Sequence, residues 1–404
     1  MKYSNVTRKP SPGLGLGVPR ALQCLGALLI SLNAFYFQEI GFPVVPLSGA
    51  LCFVSGFLAE SLLEGWSLRP TPTQIVGFVC VIFVLGVSFL QGSFSKEHNY
   101  YFKSVIGYSV GVVVLISIML RPSSSNWLER CLTAVLIIHV TAFLLQFGVL
   151  QTTGIVLDFV QPVTGETSRV FGGALARCTG LWVEPAMYAT FIFGMVIVHV
   201  AAMGGRFGII DGIVLLTIVI SRSTTGIVLV GFFTLLMVLT RLRGATRLAG
   251  FGTLVCAAVI IAWLMPENVL ESFSRIEFMS DDNSAVIRFY GLAEQIERMS
   301  PIELLFGLGI GSPVALTTGH NGLYMNLVGL GCIGFCLFWG GVAMIIGSRK
   351  LTSTLLIAWA PSLLGAPQQT WAYWWFVLGF AAYFSRRLGP PRGEIRPAAR
   401  AGTT

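Results

Sequence analysis

HNGLYMNLVGLGCIGFCLFWGGVAMII (320–346) decides the fold. After His320 the stretch contains no Asp, Glu, Lys or Arg. A helix needs about 20 mostly apolar residues to cross a hydrocarbon layer of about 30 Å. Elsewhere the composition agrees, with 54% hydrophobic residues, 11% charged residues and a mean hydropathy of +0.78. A soluble domain carries roughly a quarter charged residues. The sequence therefore predicts an all-α, polytopic membrane helix bundle over 1–404.

Twelve spans are predicted, near 20–37, 43–62, 74–92, 104–120, 131–150, 185–204, 208–221, 224–240, 247–265, 321–346, 351–365 and 370–385. The basic N-terminal segment has no small-residue cleavage site and is read as uncleaved. With the N-terminus in the cytoplasm, 18 of the 26 Lys and Arg fall on the cytoplasmic side and 8 on the outer side. The positive-inside bias supports that orientation, an even number of spans and both termini inside. It also explains the net charge of +8 without nucleic acid. The basic tail, 386–404, is assigned to the cytoplasm.

Two outer loops are longer than the rest, 151–184 and 266–319. The second contains NSAVIRFYGLAEQIERM (283–299), which Asn283 or Ser284 can cap and which reads as a short amphipathic helix. It leads through Pro301 into FGLGIGSP, whose Gly307, Gly309 and Gly311 permit a tight turn. No internal repeat is evident, which argues against a transporter made of two similar halves.

Candidate chemistry gathers on the outer side. His320 precedes a helix, whose positive end favours neutral imidazole, and neutral imidazole can take a proton from a hydroxyl. The alternative is an interfacial histidine beside a helix-capping Asn321. The small residues after it, from Gly322 to Gly341, suit close helix packing and would hold His320 on a rigid element. Arg222 lies in SRSTTG among Ser221, Ser223, Thr224 and Thr225, a setting suited to phosphate oxygens or to snorkelling. Arg177 and Glu184 flank the turn RCTGLWVEP. Glu184 is either a helix-capping acid or a partner for substrate or arginine, and Pro185 suits the first helical turn. Arg169, Arg288 and Arg298 complete the outer arginines considered.

Other polar residues read as structural. His139 and His199 are expected to hydrogen-bond neighbouring helices. Asp211 is expected to reach the cytoplasmic interface. The eight cysteines make no CxxC pair, and Cys332 and Cys336 are expected to be buried in apolar surroundings. Asp281 and Asp282 read as an ordinary acidic turn, so no metal is predicted. No chain of acids crosses the membrane, so a proton-relay pump is disfavoured.

RCTGLWVEPAMYATF, SRSTTGIVLV, an outer-loop arginine followed by FGLGIG, and HNGLYMNLVGLGCIGF together resemble the bacterial O-antigen ligase and Wzy-type polysaccharide polymerase superfamily over about residues 130–345. The resemblance implies a metal- and nucleotide-independent glycosyltransferase of the inner membrane. Its substrate would be an undecaprenyl-diphosphate-linked glycan, handled at the periplasmic face, with no cofactor. Arg177 and Arg222 would hold diphosphate, and Arg288 would contact diphosphate or sugar. His320 would be the base, and Glu184 matches an acid common in polymerase-like members. Polymerase and ligase branches share these elements. A third reading is a carrier of lipid-linked sugars. Membrane lipid and, on the polymerase reading, a chain-length regulator and a flippase are the expected partners.

Overall fold

In the computed structural model, residues 16–32, 44–66, 70–93, 98–121, 126–164, 177–241, 296–310, 312, 322–347 and 372–387 are described. Among them the regular structure is all helical. The helices are α1 (Gly17–Ser31), α2 (Val44–Glu64), α3 (Pro72–Ser93), α4 (His98–Met119), α5 (Asn126–Thr153) and α6 (Gln161–Thr164). They continue with α7 (Pro185–Ala202), α8 (Ile209–Ile220), α9 (Thr224–Arg241), α10 (Pro301–Phe306), α11 (Gly322–Ile346) and α12 (Ala372–Arg387). Six contain stretches long and apolar enough to cross a membrane: α2, α3, α4, α5, α7 and α11. This is a multi-pass membrane protein. Ten of the twelve expected spans coincide with helices, and 247–265 and 351–365 lie outside the described residues.

The apolar pattern separates central helices from those facing lipid. On α7, fourteen side chains from Pro185 to Ala201 are buried, and α12 is buried from Ala372 to Ser385. Both are apolar all round, as central helices must be. By contrast, α3 leaves Ile75, Val79, Ile82, Phe83 and Leu90 exposed. In water that face would be a liability, whereas in a bilayer it is ordinary surface. Small residues set the closest contacts. A methyl group on Gly26 would strike the backbone of α2, and one on Gly77 would meet the Gly341 carbonyl of α11.

α11 does not form the continuous rigid element expected after His320. It breaks at Gly331, at φ 63° and ψ 176°. The break receives the glycine turn that follows α10. Leu308 N–H donates to the Val328 carbonyl at 3.0 Å, and Gly309 N–H donates to the Gly329 carbonyl at 2.8 Å. Tyr101 Oη anchors the same turn on the Leu308 carbonyl at 2.9 Å. The backbone approach leaves no room for a Cβ at Gly307 or Gly331, and both have positive φ. The turn thus satisfies carbonyls that the interrupted helix leaves open. α10 itself begins with Ser300, whose hydroxyl accepts from Glu303 N–H while the Glu303 carboxylate accepts from Ser300 N–H.

Asp211 differs from its expected place. It is fully buried, accepting from Gly208 N–H at 2.7 Å and pairing with His199 Nδ1 at 2.7 Å. A partner on α7 and the start of its own helix hold it away from water. Cys332 and Cys336 are exposed rather than buried, because their face of α11 turns away from the bundle. The expected hydrogen bonds of the two histidines are present, His139 Nε2 meeting Ser31 Oγ at 2.9 Å.

Candidate functional site

The candidate site is where two irregular turns meet at one end of the bundle. The first is 177–184, the last part of the expected first outer loop. It is folded into the bundle, with Cys178, Thr179 and Trp182 at 2%, 0% and 0% exposure. Irregular backbone at membrane depth needs protein partners for its N–H groups. Gln146 on α5 supplies them. Its fully buried side-chain carbonyl accepts from Thr179 N–H at 2.8 Å and Gly180 N–H at 2.9 Å, and its amide donates to the Leu157 carbonyl at 2.7 Å. Gly180 takes φ 59° beside the ring of Tyr188. Tyr188 stacks on Phe143 and bonds Thr217 on α8 at 2.8 Å. Thr217 already donates to Val214, so the Tyr188 hydroxyl is the donor.

The second turn, 221–223, joins α8 to α9. Ser221 Oγ donates back to Ile218, and Ser223 Oγ accepts from Gly226 N–H. Between them Arg222 has φ 52°, the only positive φ at a non-glycine among the described residues. Left-handed backbone costs an L-residue about 1–2 kcal/mol. Glycine would relieve that cost, so the left-handed backbone at Arg222 marks the turn as a candidate functional outlier. The α8–α9 turn adjoins α7, since a Cβ on Gly226 would touch Ala189.

The two turns share an electrostatic environment. Burial pushes the Cys178 thiol up to about 11, while the positive charge of Arg222 pulls the other way. Arg222 is therefore within electrostatic reach of the turn that carries Arg177. Arg177, Glu184 and Arg222 are all half-buried. Glu184 stands at the N-cap position of α7, but its side chain makes no capping hydrogen bond.

The other expected site residues fall elsewhere. Arg298 is exposed, just before the α10 cap, and the described part of 283–299 is helical only at 296–298. Arg169, Arg288, His320 and Asn321 lie outside the described residues, as do Asp281 and Asp282. Chain alternation places Tyr101 and the 307–310 turn at the same end as Arg177 and Arg222. Among the described residues no group of three or more His, Cys, Asp or Glu gathers as a metal site. The sequence reading missed Gln146, Cys178 and Trp182. Glutamine inside a predicted span was the one available signal, because a buried amide needs partners.

The opposite end contains a different polar cluster. Arg121 Nη1 pairs with Glu60 at 2.9 Å, and Arg20 Nε pairs with the other Glu60 oxygen at 3.0 Å. Gln23 donates to Glu60 at 2.9 Å and accepts from Arg121. Phe57, Trp66 and Trp127 surround the guanidinium at 5.3 to 5.7 Å. Burial lowers the Arg121 pKa, with the Glu60 charge acting against it. This set joins α1, α2, α4 and α5.

No family profile and no curated protein matches this chain.

Proposed function

We propose that this chain is a membrane glycosyltransferase that polymerises undecaprenyl-diphosphate-linked oligosaccharide repeat units at the periplasmic face of the bacterial inner membrane. Both termini lie in the cytoplasm on this reading, and the product is an exopolysaccharide or O-antigen. The observation that carries it is Arg222, a cationic side chain presented by a strained backbone beside the buried turn of Arg177. Such a pair suits an anionic leaving group.

The chemistry needs little more. The donor carries its own leaving group, so the acceptor hydroxyl oxygen attacks the anomeric carbon as the bond to the diphosphate oxygen breaks. His320 accepts the hydroxyl proton. Arg177 and Arg222 neutralise the departing diphosphate, a contact that strengthens as charge develops. Arg288 contacts diphosphate or sugar, and Glu184 orients an arginine or the acceptor. No cofactor is required. The pathway's flippase and chain-length regulator are the proposed protein partners.

The test is polymer formation. His320→Ala and Arg222→Ala are each expected to abolish polymer while the protein still inserts in the membrane. Normal polymer yield and length from both variants sinks the proposal. A deletion strain that accumulates long lipid-linked chains, rather than single repeat units, moves the assignment to the ligase branch.

A further inference from the structure

Around the 177–184 turn three buried polar atoms have no hydrogen-bond partner among the described residues: His139 Nδ1, Thr179 Oγ1 and Trp182 Nε1. All three residues are fully buried. Each orphaned group carries a desolvation cost of about 1–3 kcal/mol, so their occurrence together on one turn and the helix beside it requires an explanation.

Their chemistry is complementary. Ser31 donates its hydroxyl hydrogen to the Leu28 carbonyl at 2.6 Å. Its oxygen can then only accept from His139, so the Nε2 at 2.9 Å bears the hydrogen. A second proton would place an unpaired cation in the apolar core, where it is strongly disfavoured. His139 Nδ1 is therefore a bare acceptor. Trp182 Nε1–H is a donor and nothing else. The two rings lie 6.4 Å apart between centroids, tilted by 33°. An oxygen about 2.9 Å from each of two nitrogens links neighbouring rings whose nitrogens lie up to about 5.8 Å apart. Phe191 packs against both rings at 4.8 and 5.2 Å, which fixes their mutual orientation. Tyr373 closes the other side of Trp182 at 5.1 Å.

We propose that His139 and Trp182 form a buried subsite for one hydroxyl-type oxygen, which donates to His139 Nδ1 and accepts from Trp182 Nε1–H. Two sources share this chemistry: an internal water, or a hydroxyl of a bound glycan reaching the floor beneath the Arg177–Arg222 turns. The water-filled form of the subsite is independent of the glycosyltransferase reading, and the glycan-filled form rests on it. It binds a neutral group, whereas the arginines suit an anion.

The test is the sign of a thermal shift, measured on the full chain in lipid nanodiscs. Trp182→Phe keeps the ring and removes the donor, and Thr179→Val removes the hydroxyl on the same turn. If water occupies the subsite, Trp182→Phe lowers Tm by about 2–4 °C without added ligand. If a glycan hydroxyl occupies it, Trp182→Phe leaves the ligand-free Tm unchanged or higher. It then loses part of the rise that an undecaprenyl-diphosphate-linked trisaccharide gives the wild type. A variant at least as stable as the wild type without ligand, with the full ligand-induced rise, overturns the proposal. So does one as stable when the trisaccharide shifts neither protein. Absence of a trisaccharide shift in the wild type counts against the glycosyltransferase reading, while the ligand-free sign still decides the water site. Should Trp182→Phe fail to insert, a water-resolving density map of the wild type decides. An oxygen peak between the two nitrogens supports the subsite, and its absence with and without trisaccharide overturns it.

Discussion

Two arginines at opposite ends of the same bundle meet the membrane in different ways. Arg121 is fully buried, and the chain supplies its surroundings: Glu60, Gln23 and three aromatic rings. Arg222 is half-buried on a turn whose backbone takes a conformation that glycine would adopt at lower cost. A buried cation closed by its own carboxylate is an internal joint. A cation on a strained backbone is suited to something that arrives. The difference shows that arginine in an apolar bundle is not one signal but two, distinguished by depth of burial and by backbone conformation.

The comparison breaks first at Arg121. Arg121→Met leaves the Glu60 carboxylate buried with Arg20, itself partly exposed, and the neutral donors of Gln23 and Trp127. It is expected to cost about 3–5 kcal/mol, read as loss of folded protein in detergent. Adding Glu60→Gln should recover much of that loss. A single variant as stable as the wild type would end the claim of an internal joint.

Next is the scaffold of the opposite end. Gln146→Leu orphans two backbone N–H groups of the 177–184 turn, each worth about 1–3 kcal/mol. It should lower Tm and speed hydrogen exchange at Thr179 and Gly180. Unchanged exchange there would mean that the turn is held by other contacts.

Arg222→Gly should cost far less. It relieves the left-handed backbone, worth about 1 kcal/mol, against glycine's greater freedom in the unfolded chain and the loss of the side chain's own contacts. It should lose polymer formation at the same time. Destabilisation of several kcal/mol would turn Arg222 into a second structural arginine and remove the contrast.

The smallest effect concerns the exposed α10 cap. Hydrogen bonds from Ser300 hold the Glu303 carboxyl below its ordinary value. A depressed carboxylate stabilises the folded form above its unfolded pKa and loses that contribution as pH falls through the lower folded value. Protection against hydrogen exchange in 301–307, relative to the unfolded rate at each pH, should therefore fall in acid and stay constant near neutrality. Because this group is exposed, the change should be slight beside the loss at Arg121.

Much of the helical layout was legible in the sequence, because apolar length alone requires a helix in lipid. The start of α7 was readable from Pro185, whereas α10 was not, because Pro301 read as the lead into the glycine turn. The break in α11 was not, since a glycine in a membrane helix reads equally as a packing contact. Only the approach of the Gly307–Gly309 turn selects the interrupted form. Asp211 was placed by its charge at the interface, but His199 twelve residues earlier gives it a buried partner.

Composition, apolar runs and the Lys and Arg balance by themselves determined a multi-pass helical protein, because burial in lipid depends on composition along each segment. They also singled out Arg177 and Arg222 as unusual. The tertiary structure alone decided that the turn of Arg177 is folded inward on Gln146 and that the charge of Arg222 reaches it. It also decided that the rings of His139 and Trp182 lie side by side, each with a buried nitrogen that has no partner among the described residues. Those are pairings between distant segments, set by helix packing, and no local pattern encodes them.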